Sequence, residues 1–304
     1  MMQTELARRA LPRAFAAAIS ALFLCSAPLD GGEIFRDDFS HLPPGWLSYP
    51  VGELNGAIQE YHYLKHRGVD TRPWFNPIVY LDSWVAGDED GEPYLEQHLV
   101  NALPQLMSPL FVTGESEWGD YSVEAEVRPL SKSEMAGVVF RYRTSRHHYL
   151  FSLAGGTHAK LILRLPIETE FRQAKMRELG RAEFPYDVKR YYRLRVENDG
   201  PRIRCYIDGK LVIEASSEDL PLGRAGVAAN IPARFRNFRV TASDAAEAKI
   251  RQRVVQHQVE LNTLRAAQPQ PKLWKRFKTP LFGAGRNVRF GDLDGDGQTD
   301  MLIA

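Results

Sequence analysis

The chain has 304 residues, enough for more than one domain. Its 44% hydrophobic and 25% charged residues place it among ordinary globular proteins. A net charge of +1 leaves no basic excess for a nucleic acid or an anionic membrane.

The first 27 residues read as an export signal. Arg8, Arg9 and Arg13 precede an apolar run at 14–24, which is too short to span a bilayer. Cys25, Ser26 and Ala27 then offer a small-residue cleavage site. A lipoprotein signal needs a small residue before Cys25, and Leu24 is not one. The expected location is secreted, periplasmic or at the cell surface, with no membrane span after cleavage. Only Cys205 then remains, so no disulfide within the chain is expected.

Residues 33–243 alternate short β-rich runs with Gly, Pro, Asn and Asp. In 121–128, Val123, Ala125 and Val127 face one way while Ser122, Glu124 and Glu126 face the other. Strands are also expected at 137–143, 149–153, 159–164, 191–197, 202–207, 211–214, 226–229 and 235–240. Gly155-Gly156, Asn198-Asp199-Gly200 and Asp208-Gly209 mark the turns between them. Many short strands without intervening helices predict a β-sandwich or barrel. Residues 167–182 read as a short helix or a long loop.

Residues 244–267 change to helical spacing. Asp244 and Glu247 begin like a capping box, and Ile250, Val254, His257, Leu261 and Leu264 form a stripe. The stripe is expected to dock on a neighbouring domain. Gln268 to Pro271 is a stiff linker. Residues 272–304 begin a new unit.

That unit holds the sharpest motif in the chain. Asp292, Asp294, Asp296 and Asp300 occupy positions 1, 3, 5 and 9 of a loop, with Gly297 at position 6 and Gln298 able to offer its carbonyl. Convergent oxygens of this kind suit Ca2+. An EF-hand would carry Glu where Ile303 stands, and the flanks read as strands. The run FGDLDGDGQTDMLI resembles the FG-GAP/VCBS repeat, whose loops lie between strands of β-propeller blades. One blade needs roughly 40–50 residues, so this repeat is expected to be the truncated start of a propeller. The following propeller domain is an expected partner.

The phrases AGVVFRYR, YRLRVENDG, IRCYIDGKLV, GRAGVAAN and FRNFRV resemble the concanavalin A-like lectin/glucanase superfamily. The nearest branch is the laminin-G-like one grouped with the 3-keto-disaccharide hydrolase domain. The resemblance implies an all-β, antiparallel jelly-roll sandwich over 33–243. It implies little about function, because lectins, lyases, hydrolases and adhesion modules share that sandwich. The calcium-type loop is also similar to those of propeller-type rhamnogalacturonan lyases.

Catalytic chemistry is sparse. Glu124 and Glu126 have a spacing that would suit a glycosidase pair, but alternate Glu residues on a strand are usually a solvated face. His147-His148 reads as a surface turn, and the acidic loop 88–92 as solvated. Residues 46–84 form an aromatic-rich insert of the kind that functional loops use. Trp46 and Trp84 are expected in the core. Tyr61, Trp74, Arg67 and Arg72 are the expected sugar-binding residues, aromatic planes for pyranose faces and cations for hydroxyls. The leading reading is a carbohydrate-binding or adhesion module with a polysaccharide partner. The alternatives are part of a polysaccharide lyase or glycoside hydrolase, and a spacer that docks the propeller.

Overall fold

The computed structural model describes residues 31–47, 69–77, 83–99, 108–170, 173–268, 272 and 288–303. The expected signal at 1–27 lies outside them. In chain order the elements begin with β1 (Gly32–Asp37), β2 (Gly45–Trp46), β3 (Trp84–Glu89), β4 (Glu92–Gln97), β5 (Leu110–Thr113) and β6 (Ser122–Pro129). Then come β7 (Met135–Thr144), β8 (His147–Ala154), β9 (His158–Pro166), β10 (Ala174–Glu183), β11 (Tyr192–Asp199) and β12 (Arg202–Ile207). The series closes with β13 (Lys210–Ser216), β14 (Arg224–Ala229), β15 (Ala233–Ala242), α1 (Asp244–Ala267), β16 (Val288–Gly291) and β17 (Asp300–Ile303).

Two antiparallel sheets form a sandwich, as the alternation of the strands requires. One has nine strands, in the order β13-β12-β11-β6-β15-β4-β3-β2 with β1 also on β15. The other has six, in the order β10-β9-β8-β7-β14-β5. Val123, Ala125 and Val127 of β6 are fully buried and meet Phe140, Phe151 and Leu161 of the facing sheet in one core. The Asp208-Gly209 turn takes positive φ at both residues, 50° and 82°, the backbone of a tight hairpin. Arg141 ties the layers together at one end. Its N–H donates to the Tyr121 hydroxyl at 2.7 Å, and its Nη2 donates to the Gly200 carbonyl at 2.7 Å.

Residues 174–183 correct the sequence reading. They form strand β10, paired along its length with β9. As the outermost strand of its sheet, β10 is exposed at most positions, so it lacks the apolar alternation that betrays a half-buried strand.

Helix α1 is capped by Ser243 rather than Asp244: the Ser243 side chain accepts from the Ala246 N–H, and Asp244 is the first helical residue. Its first turns dock on the sandwich through Ala246 and Ile250. Arg253 Nη1 donates to the Glu117 carbonyl at 2.7 Å, and His257 Nδ1 lies 2.9 Å from Glu117 Oε1. The stripe then leaves the sandwich, and Leu264 is 60% exposed. No helix among the described residues is long and apolar enough to cross a membrane.

Candidate functional site

The outer face of the six-stranded sheet carries a second apolar cluster of its own, including Leu110, Val112, Val139, Leu150 and Ile162. On its β5 side this face is covered, and Leu110 and Val112 are fully buried. Toward β10 it opens into a groove of about 460 Å³. Met135, Ile162 and Met176 supply apolar lining, and Lys160, Glu178 and Arg181 supply charge.

The charged group depends on an irregularity of β10. Residues three apart on a regular strand point to opposite faces. Between Glu178 and Gly180 the register shifts, so Glu178 stands opposite Ile162 while Arg181 stands opposite Lys160. The extra residue brings both side chains to the groove side, an established use of a β-bulge. Gly180 fits here because a Cβ would lie 2.5 Å from Ile213 Cγ2 of β13, where the edges of the two sheets meet.

Arg181 then grips Glu178 with two parallel bonds, Nε to Oε1 at 2.9 Å and Nη2 to Oε2 at 2.8 Å. Lys160 Nζ lies 3.3 Å from the same carboxylate. The Arg181 hydrogen bond holds the Glu178 pKa below the usual carboxylate range, so the group is ionised at neutral pH. The carboxylate keeps acceptor capacity, while both cations keep N–H groups that Glu178 does not use. The groove thus presents donors and an acceptor side by side over thioether and aliphatic surface.

At the other end of the face, Tyr142 and His148 stack at 5.8 Å. His148 is 1% exposed rather than part of a surface turn, and its Nδ1 lies 3.1 Å from the Thr144 carbonyl. Burial, reinforced by the nearby Arg164 charge, pushes its pKa down to about 3, so the imidazole is neutral. Arg164 Nη1 donates to Ser108 Oγ at 3.0 Å.

The sugar-binding residues expected from sequence fare differently. Trp74 is a correction: it is 1% exposed, stacks on Phe111 at 5.3 Å, and donates from Nε1 to Asp37 Oδ2 at 2.6 Å. An indole enclosed in this way presents no face to a sugar. Arg72 is exposed and paired with Asp70. Tyr61 and Arg67 lie outside the described residues. Trp84 is in the core as expected, whereas Trp46 is 40% exposed. Lys160, Glu178 and Arg181 were not singled out from sequence. The available signal of a bulge was Gly180 itself, a glycine inside an extended segment.

Glu124 and Glu126 are rungs of an ion-pair ladder on the nine-stranded sheet, bound to Arg239 at 3.2 Å and Arg236 at 2.6 Å. The acidic loop 88–92 is the β3–β4 turn. Asp88 there accepts the Gly91 N–H at 2.9 Å, and Glu89 pairs with Arg128 and Arg234.

The loop between β16 and β17 has strand flanks, antiparallel in register from Val288–Ile303 to Gly291–Asp300. It brings Asp292, Asp294 and Asp300 together, with ligand oxygens within 4.8 Å of one another. Asp296 falls outside that group and accepts the Gln298 N–H at 2.7 Å. Asp292 spends both oxygens on the loop, accepting from Gly295 at 2.7 Å and Gly297 at 2.9 Å. Asp300 accepts the Leu293 N–H through Oδ2 at 2.9 Å. Gly295 and Gly297, at φ 81° and 80°, supply the backbone that turns these N–H groups inward. An all-oxygen, carboxylate-rich donor set fits a hard cation such as Ca2+.

No family model matches the chain, and no curated protein matches it. Solved structures do. The carbohydrate-binding module CBM66 from Bacillus subtilis matches at 18% identity and a TM-score of 0.44, over 56% of this chain and 95% of that one. A Bacillus subtilis protein with a galectin-like fold matches at 16% identity and 0.34, over 55% and 94%. The GH43 protein BlXynB from Bacillus licheniformis matches at 18% identity and 0.40, over 56% of this chain but 36% of that one. At such identities and TM-scores, what this groove binds has to be argued from its own lining.

Proposed function

We propose that this chain is a secreted carbohydrate-binding module that takes a glycan in the groove over β7–β10 and holds Ca2+ in its C-terminal loop. The observation that carries the reading is the group built by the β10 bulge: Lys160 and Arg181 converging on Glu178 beside Met176 and Ile162 in an open groove. Sugars offer hydroxyls that both donate and accept, on rings whose C–H faces are apolar. A mixed donor and acceptor set over aliphatic lining matches both features. The volume falls in the usual range for ligand sites, roughly 300–1,000 Å³. The export signal expected at 1–27 supports a location outside the cell for such a module.

Affinity electrophoresis of the full chain against a panel of plant and bacterial polysaccharides tests the reading. At least one polymer should retard the wild type, and Arg181→Ala should abolish that retardation while leaving the far-UV circular dichroism unchanged. A folded wild type that no polymer retards would sink it. So would retardation indifferent to Arg181→Ala and Met176→Ala.

A further inference from the structure

The groove's charges are arranged so that neither cation is left for an anionic ligand. Lys160 lies 3.3 Å from Glu178, and Arg181 engages the same carboxylate through two hydrogen bonds. A second carboxylate, Glu134, lines the groove as well. Lys160 and Arg181 are thus matched by Glu178 and Glu134, with the His158 imidazole beside them, and the position from which both cations could be reached at once is occupied by Glu178. An incoming uronate would have to displace a bidentate carboxylate or lie against it as a like charge, an arrangement that opposes binding. No Trp, Tyr or Phe is among the described groove-lining residues; the one aromatic ring there is the His158 imidazole, whose Nδ1 lies 2.8 Å from Thr157 Oγ1.

Resting on the carbohydrate reading above, we infer that the Lys160–Glu178–Arg181 group selects neutral saccharides with adjacent hydroxyls and rejects uronic acid polymers. Two neighbouring hydroxyls fit the group without changing any charge. One donates to Glu178 while accepting from an unused Lys160 N–H; the other accepts from Arg181. Charge-assisted hydrogen bonds of this kind are stronger than neutral ones. Met135, Ile162 and Met176 face the C–H surface of the ring. Glu178 is therefore a specificity-determining residue with two effects: it accepts from the neutral ligand, and it neutralises the cations that would otherwise draw an acidic one.

The experiment titrates the full chain with neutral polymers (a xylan, a β-glucan and a fructan) and with polygalacturonate, by affinity electrophoresis and calorimetry. Wild type, Glu178→Gln and Lys160→Met are compared, and thermal melts confirm that each variant is folded. The wild type should bind a neutral polymer and ignore polygalacturonate. Glu178→Gln should weaken the neutral polymer at least tenfold and gain measurable binding of polygalacturonate, because both cations are then free. Wild-type preference for polygalacturonate, lost in Lys160→Met, would overturn the selectivity while leaving the groove a glycan site. Neutral binding untouched by Glu178→Gln would also overturn it. A folded wild type that binds none of these polymers would overturn the carbohydrate reading and this inference with it.

Discussion

Arg236 Nε donates to Glu126 Oε2 at 2.6 Å, straight across the pairing of β15 with β6. Two residues along β6, Glu124 meets Arg239 in the same way at 3.2 Å. The two carboxylates whose spacing suits a glycosidase are thus each held by a cross-strand guanidinium. Arg128 and Arg236 also sit over the ring of Tyr191, at 4.9 and 4.0 Å from its centroid. This face is a stabilising lattice of Arg, Glu and Tyr.

Replacing both carboxylates, Glu124→Gln with Glu126→Gln, should leave glycan binding unchanged. Partly exposed pairs of this kind contribute about 0.2–1 kcal/mol each. For a domain of this size that corresponds to a Tm lower by about 1–8 °C for the pair of changes. The loss should shrink in 1 M NaCl, where such pairs are screened. Differential scanning calorimetry at low and high salt checks it. A change in glycan affinity at constant fold would return these residues to the site.

Trp74 supports the fold rather than the ligand. Its ring meets Phe111, Phe39, Phe35 and Phe238, all within 5.8 Å between centroids. Trp74→Ala should cost about 3–5 kcal/mol from the cavity and lost transfer energy. Trp74→Phe should cost less, since it retains most of the packing and loses the Asp37 hydrogen bond. Urea unfolding separates the cases: a large fall in midpoint for Ala, a moderate one for Phe, and unchanged glycan affinity in any Phe variant that folds.

How much the sequence disclosed can be judged from such residues. Val123, Ala125 and Val127 announce a half-buried strand because one face of β6 is core and the other is solvent. Strand β10 stays hidden because exposure along most of its length removes that contrast. Trp74 misleads because its neighbours, Arg72, Pro73 and Asn76, look like a loop. Nothing local records that Phe35, Phe111 and Phe238, distant in sequence, close around it. The groove depends on a one-residue register shift, which becomes visible only once β10 is paired with β9. The aspartate loop between β16 and β17 is legible as a loop with strand flanks, because its residues are local and their spacing is the signal. Even there, spacing placed Asp296 with the others, and the observed loop turns it toward the Gln298 N–H instead.

His148 gives a pH dependence whose sign follows from its burial. Its folded pKa is about 3 and its unfolded value about 6.5, so the unfolded chain takes up a proton that the folded one refuses. Stability from this residue is fully present above pH ~6.5 and is lost as pH falls toward 3, at up to ~1.4 kcal/mol per pH unit. His148→Gln cannot be protonated and should remove that part of the slope. Urea unfolding at pH 7, 5.5 and 4.5 should therefore show the wild type losing stability faster than the variant. Equal slopes would mean that His148 is solvated enough to titrate normally.

The loop at 292–300 makes separable predictions for its aspartates. Asp292, Asp294 and Asp300 converge, and Asp296 does not. Calorimetric titration of the full chain should detect Ca2+ with a Kd on the order of 10⁻⁴–10⁻³ M, as is typical of extracellular modules. Asp294→Asn and Asp300→Asn each remove a converging charge and should weaken binding at least tenfold. Asp296→Asn should cost little, because that carboxylate serves a local turn. Asp292→Asn is the poorest diagnostic, since its oxygens also hold the Gly295 and Gly297 N–H groups and the change would loosen the loop itself. Mg2+ should compete weakly, because it demands near-octahedral geometry at shorter distances than a flexible carboxylate loop readily supplies. Equal losses at Asp294, Asp296 and Asp300 would instead mean that the ion recruits all four carboxylates by rearranging the loop. No heat with any of the proteins would leave the loop as an Asp-Gly turn held by its own backbone bonds.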